Sequence, residues 1–274
     1  MDPNCWFGLV VGNSRWHWAI FENHTLLKNW HTPPLQKQQI SQLIEQKLSA
    51  SAWQQIDPQL QFPALAVAAP ASANPCPEIW MASVVDAQTT LLQATPIVHT
   101  VKPEQLPLAG AYSTLGLDRI LNLWGASQRY GWPVLVVDAG TALTLTAGDD
   151  NRVLGGMILP GLTLQACALS EKIVALPAMT FYGLDPFPPR WALSTVEAIQ
   201  SGILYTTIAG IEDHIRDWWH QYPKSTIVFT GGDGELLYRL HKKRTPVSDT
   251  EVRLDLNLMF WGLRAYRRLE ISVL

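Results

Sequence analysis

Val134-Leu-Val-Val-Asp138-Ala-Gly-Thr-Ala-Leu-Thr-Leu-Thr146 decides the fold. Four apolar residues run into Asp138, and Ala139, Gly140 and Thr141 follow. Apolar Leu143 and Leu145 then alternate with polar Thr144 and Thr146. The pattern predicts a buried strand, a tight turn and a half-buried second strand. A carboxylate, a glycine and a hydroxyl at such a turn suit nucleotide phosphates. Glycine allows close backbone approach, N–H groups and the hydroxyl donate to phosphate, and the carboxylate can hold a cation. Many ordinary turns contain Asp, Gly and Thr, so other segments must agree with this one.

One segment does. Phe7 to Val11 is a mostly apolar run, Gly12-Asn13-Ser14 is a turn, and Arg15 to Trp18 alternates before apolar Ala19 to Phe21. Aligning Gly12 with Gly140 places Asn13 against Thr141 and Leu9 against Val137. The chain reads as a weak duplication with one hairpin opening each half. The same alignment puts Val10 opposite Asp138, so the first hairpin lacks the carboxylate.

With 274 residues, 47% of them hydrophobic and 16% charged, the chain has material for one large domain or two ordinary ones. A net charge of -3 gives no basic footprint for nucleic acid. Cys5, Cys76 and Cys167 are scattered and lack metal spacing, which reads as reduced thiols in a cytosolic protein. Asp2 and the lack of a basic leader argue against a secretory signal. The uncharged stretch from Val153 to Ser170 is broken by Gly155, Gly156, Pro160 and Gly161, so a strand, a turn and a helix start fit it better than a membrane span. The twelve tryptophans read as core or interface residues.

Leu26–Trp30, Pro63–Ala69 and Ile97–Val101 read as strands, and Gln36–Ser49 and Pro77–Leu92 as helices. Thr114–Arg129 reads as a helix with one buried face. Taken alone, its Asp118 is an acid favoured at a helix start, and its Arg119 a salt-bridged surface residue. Tyr130-Gly131-Trp132-Pro133 marks a boundary, giving domains 1–131 and 132–274. Beyond the second hairpin come a strand from Val153 to Ile158, a helix from Leu162 to Leu169 and a proline-rich loop from Met179 to Trp191. Ser194 to Glu197 has capping-box spacing and opens a helix running to about Trp219. Ser225–Thr230 is a strand ending at Gly231-Gly232, and Leu254–Leu269 is a closing helix. Two α/β layers with a ligand cleft between them are the expected architecture.

Five motifs in order carry a family resemblance: Gly116-Leu117-Asp118-Arg119, Asp138-Ala-Gly-Thr-Ala142, Gly155-Gly-Met-Ile-Leu-Pro-Gly161, Thr195-Val-Glu-Ala-Ile-Gln-Ser-Gly202 and Thr230-Gly-Gly232. Over nearly its whole length the chain resembles the type III pantothenate kinases of the acetate-and-sugar-kinase/Hsp70/actin superfamily. That resemblance implies two ribonuclease-H-like domains of actin/sugar-kinase type, a cytoplasmic homodimer, and ATP-dependent phosphorylation of pantothenate with magnesium and a monovalent cation, potassium or ammonium. It implies Asp118 as general base, and Tyr112, Gly116, Leu117, Arg119 and Thr195 as substrate contacts, with the Tyr112 spacing shorter than the family's. Asp138 resembles the monovalent-cation ligand and Thr141 a nucleotide contact. Val10, Val11, Gly12, Asn13, Ser14, Arg15, Trp16 and His17 resemble the phosphate-binding hairpin.

That hairpin departs from the family's D-x-G-N-T-x-x-K. Val10 replaces the aspartate, Ser14 keeps the hydroxyl of the threonine, and His17 replaces the lysine by a group mostly neutral at pH 7. Arg15 is a possible substitute cation. Three readings follow: a working kinase with a weakened or rearranged magnesium site, a non-catalytic relative that binds a ligand or a regulatory partner, or a different sugar- or acid-kinase of the same fold. Retention of the other motifs favours the first.

Overall fold

The computed structural model describes residues 5–12, 14–62, 77–83, 92–173, 175–177, 179–181, 183–245 and 251–273. The expected strand Pro63–Ala69 lies outside them. The chain divides into two compact units. One comprises Met1–Leu106, Gly116–Asp118 and Leu263–Leu274, and the other Pro107–Leu115 and Arg119–Gly262.

In the first unit, β1 (Cys5–Val11), β2 (Trp16–Glu22), β3 (Thr25–Thr32), β4 (Glu78–Ser83) and β5 (Val98–Thr100) form one sheet in the order β3-β2-β1-β4-β5. β1–β2 and β2–β3 are antiparallel, β1–β4 and β4–β5 parallel. In the second unit, β6 (Val134–Ala139), β7 (Ala142–Asp149), β8 (Arg152–Pro160), β9 (Thr226–Thr230) and β10 (Val252–Leu254) form the order β10-β9-β6-β7-β8. Here too the first three strands form an antiparallel meander, and β9 and β10 add in parallel beyond β6. Read from β8 to β10, this is the topology of the first sheet. The duplication suspected from two glycines thus extends to every strand of both sheets.

That topology explains one departure from expectation. Pro77–Leu92 was expected to be a helix, but Glu78–Ser83 is β4. It pairs parallel to β1 on one side and to β5 on the other, and its Ile79, Trp80, Met81 and Ala82 are all buried. A parallel strand buried on both faces shows no alternation, and a short apolar run cannot be told from a buried helix by periodicity.

Strand alternation sends Phe7, Leu9, Val11, Trp16, Trp18 and Ile20 to one face of the first sheet. There they pack on Ile40 and Leu43 of α1 (Lys37–Glu45) and on Trp53 of α2 (Ala50–Ile56). Trp18 and Trp30 each meet Trp53 edge-on, at 4.8 and 5.0 Å between centroids, so several tryptophans are aromatic core.

The second unit holds α3 (Leu117–Tyr130) from Arg119 onward, with α4 (Leu162–Lys172), α5 (Thr195–Gln221) and α6 (Gly234–Arg244). One face of its sheet supplies Leu135, Val137, Leu143 and Leu145 to a core closed by Leu204, Ile208 and Ile211 of α5 and Leu237 of α6. α5 starts as its sequence predicts: the Ser194 hydroxyl accepts from Glu197 N and donates to Glu197 Oε2. β7 is not half-buried as expected. Thr144 is 7% and Thr146 2% exposed, so its polar face is buried as well.

The last helix, α7 (Leu258–Val273), starts within the second unit. A Cβ at Gly125 would overlap the Leu258 carbonyl oxygen, and one at Gly262 the Leu121 carbonyl oxygen. α3 and the start of α7 therefore cross with their backbones in contact. Gly125→Ala is expected to destabilise the protein by about 1–3 kcal/mol through overpacking. It should appear as a lower denaturant midpoint at unchanged slope.

Candidate active site

The buried polar face of β7 lies under α3. Arg119, 5% exposed, spreads its guanidinium across it. Nε donates to Thr146 Oγ1 at 3.0 Å, Nη2 to the Leu145 carbonyl at 3.1 Å and Nη1 to Tyr112 Oη at 3.0 Å. All three acceptors are neutral. The surface salt bridge expected of Arg119 is absent among the described residues, because neighbouring helix positions point about 100° apart and this one faces the sheet. A guanidinium has five N–H donors. One on each terminal nitrogen is left over, a pair suited to a carboxylate. A buried cation with neutral partners also favours an anion beside it.

Asp138 is the strand-end carboxylate that opened the sequence reading. It pairs with Thr144 on β7 and Thr230 on β9. Its Oδ2 accepts from Asn122 Nδ2 of α3 at 2.8 Å. Asn122 is 1% exposed, and no motif marked it in the sequence. Asn122 Oδ1 and Thr144 Oγ1 are buried without a hydrogen-bond partner among the described residues. Among the described residues no group of three or more His, Cys, Asp or Glu could hold a metal ion.

The turn after Asp138 abuts two helix N-termini. Gly161, the N-cap of α4, donates its N–H to the Thr141 carbonyl at 2.8 Å. Asp233, the N-cap of α6, donates its N–H to the Ala139 carbonyl at 2.8 Å. Burial raises the pKa of the Asp233 carboxyl. The Thr141 side chain is exposed. Helix N-termini favour anions, so an exposed hydroxyl on this turn suits a phosphate.

Three motif glycines make room for three of the polar groups. A Cβ at Gly116 would overlap Asp118 Oδ1, one at Gly156 the Leu145 carbonyl oxygen and Arg119 Nη2, and one at Gly231 the Asp138 Oδ1 and the Ala139 carbonyl. The sequence marks these positions only as glycines in motifs. What each one clears is visible only in three dimensions.

Asp118 and Leu117, both half-buried, form the first turn of α3. Thr195 is the exposed first residue of α5. In the first hairpin, Gly12 N donates to the Arg15 carbonyl at 3.1 Å. Val11 and Trp16 turn into the aromatic core, Ser14 and Arg15 are exposed, and Asn13 lies outside the described residues. Val10 is 4% exposed and pairs with His17. Burial, then His31 and Arg15, lower the His17 pKa below its ordinary 6.5.

The unfolded chain therefore takes up the His17 proton first as pH falls. Its contribution to stability is complete above about pH 6.5 and declines on acidification through that value. His17→Gln is expected to shrink the loss of stability between pH 7 and 5. Denaturant midpoints of the two proteins across that range would check it.

Comparison with known proteins gives this arrangement a family. A profile described as type III pantothenate kinase matches residues 9–217. The type III pantothenate kinase of a Nostoc species is 40% identical over 265 residues, covering 95% of this chain and 94% of its own. The chain belongs to the type III pantothenate kinase family. Another member, from a Synechococcus species, is 41% identical over 265 residues, covering 96% of this chain and 93% of its own. Among solved structures, a Campylobacter jejuni protein of the Baf family superposes with a TM-score of 0.60 at 22% identity, covering 98% of this chain and 100% of that one. That likeness is one of fold alone. No described helix is long and apolar enough to cross a membrane.

Proposed function

We infer that this chain transfers the γ-phosphoryl group of ATP to the primary hydroxyl of pantothenate, the first step towards coenzyme A. The observation that carries the reading is the Arg119 guanidinium, buried on neutral acceptors with an N–H to spare on each terminal nitrogen. It suits the pantothenate carboxylate, with Tyr112 holding the fork and Thr195 a further contact. Asp118, in the adjacent position, takes the hydroxyl proton as the oxygen bonds to phosphorus. The bond from phosphorus to the bridging oxygen then breaks, leaving ADP. Such transfers depend on positioning and charge neutralisation more than on covalent help.

The Asp138–Thr141 turn serves the nucleotide, with Asp138 toward potassium or ammonium, and the Val10–His17 hairpin serves the phosphates as magnesium–ATP. Residues 1–131 and 132–274 would be the two functional halves. Leu154, Ile158, Trp191, Leu193 and Val196 are exposed large apolar residues of the second unit, which supports a homodimer. Free Cys5 and Cys167 suit the reducing cytoplasm.

Coupled turnover with ATP, pantothenate and potassium tests the reading. Phosphopantothenate above the level given by Asp118→Ala is the expected result, and none above it would overturn it. The non-catalytic alternative, raised by Val10 and His17, predicts pantothenate binding without turnover. Near-full-length identity of about 40% to proteins named as kinases weighs against it.

A further inference from the structure

We propose that Asn122 is a positioning residue for the Asp138 carboxylate, tying the nucleotide side of the site to the helix that carries Asp118 and Arg119. This rests on the kinase reading of Asp138. Asn122 follows Asp118 by four residues and Arg119 by three on α3, spacings that share a helix face. Arg119 reaches the buried face of β7 at Thr146, and Asn122 reaches the strand beside it at Asp138. Thr144, the partner of Asp138, is two residues before Thr146 on the same face of β7. One helix face thus engages both groups.

A leucine would fill this 1% exposed position with no polar group to satisfy. The chain instead buries an amide whose Oδ1 has no hydrogen-bond partner among the described residues. Burying such a group costs stability. Its Nδ2 makes one hydrogen bond, at 2.8 Å to Asp138 Oδ2. That bond selects one orientation of the carboxylate against the turn at Gly140 and Thr141. The unmet Oδ1 and Thr144 Oγ1 are acceptors that a nearby monovalent cation or ammonium donor would satisfy. Asn122 acts through Asp138, without touching pantothenate.

A double-mutant cycle of Asn122→Leu and Asp138→Asn tests this, with Asn122→Ala as a second variant. ATP affinity is read by calorimetry, and the potassium concentration for half-maximal activity by turnover. Asn122→Leu is expected to weaken ATP binding about tenfold in the unmodified chain and less than twofold in Asp138→Asn. It should raise the half-maximal potassium concentration about tenfold and leave KM for pantothenate within about twofold. Equal losses in both backgrounds would overturn the proposal. So would a lowered melting temperature with ATP affinity and potassium response unchanged, which is what mere packing gives. ATP binding without turnover in the unmodified chain would defeat the kinase reading, while the affinity cycle would still decide the role of Asn122. Absence of ATP binding would defeat both.

Discussion

Asp118→Asn is expected to lower kcat for pantothenate phosphorylation by about 10²- to 10⁴-fold, the range for removing a positioned general base. The amide keeps the shape of the carboxylate but cannot accept the hydroxyl proton. KM should move little, because the substrate carboxylate is assigned to Arg119. Stability should also change little. A first-turn acid contributes about 0.3–1 kcal/mol through the helix dipole, and Asp118 is half-buried there. A large fall in kcat at a nearly constant melting temperature separates a base from a structural acid. Gly116→Ala should give a weaker version of the same result, since its Cβ would displace Asp118 Oδ1. Steady-state kinetics beside a melting curve decide both.

Arg119→Met is expected to lower kcat/KM for pantothenate by about 10²- to 10⁴-fold. Hydrogen bonds from a charged donor contribute about 1.5–3 kcal/mol each, and two of them are assigned to the substrate. Most of the loss should lie in KM. The unliganded protein should respond differently. Its Arg119 charge is buried on neutral acceptors, and such a charge is costly to hold. An apolar side chain of similar length removes that cost, at the expense of leaving Thr146 Oγ1 and the Leu145 carbonyl without their donor. These terms oppose each other, so the melting temperature should stay within a few degrees. Arg119→Lys should recover little activity, because an ammonium cannot present two parallel donors. A melting temperature that collapses in Arg119→Met would show that the guanidinium serves the fold first. Gly156→Ala, which would crowd both Arg119 Nη2 and the Leu145 carbonyl of β7, should raise KM and lower the melting temperature together.

Much of this fold is legible in the residues alone, where period, cap and breaker agree. The Val134–Thr146 hairpin, the Ser194 cap of α5 and the Pro160-Gly161 entry to α4 are of that kind. Other elements are misread or missed. β4 is buried on both faces and has no alternation. β10 is three residues long, Val252–Leu254. α6 follows a glycine turn with its core limited to a few side chains such as Leu236, Leu237 and Leu240. For the candidate site, motifs bring out Asp118, Arg119, Asp138 and Thr141 by number. They do not tell that Arg119 is buried on neutral acceptors, that Asn122 reaches Asp138, or which side chain each motif glycine clears. Those are contacts between residues far apart in the chain, and a local pattern does not carry them.

The buried threonines of β7 have a bearing on how the chain finds its register. Side chains along a strand alternate, so a slip of one residue between β6 and β7 would exchange the two faces of β7. Leu143 and Leu145 would leave the core they share with Leu204 and Ile208, and Thr146 would leave Arg119. Both faces oppose the slip, one by losing apolar burial and the other by stranding a cation. The polar stripe assigned here to substrate and cation is therefore also a selector among misfolded pairings. Substitutions that make β7 uniformly apolar should yield slower-refolding, more aggregation-prone chains even when the folded state survives.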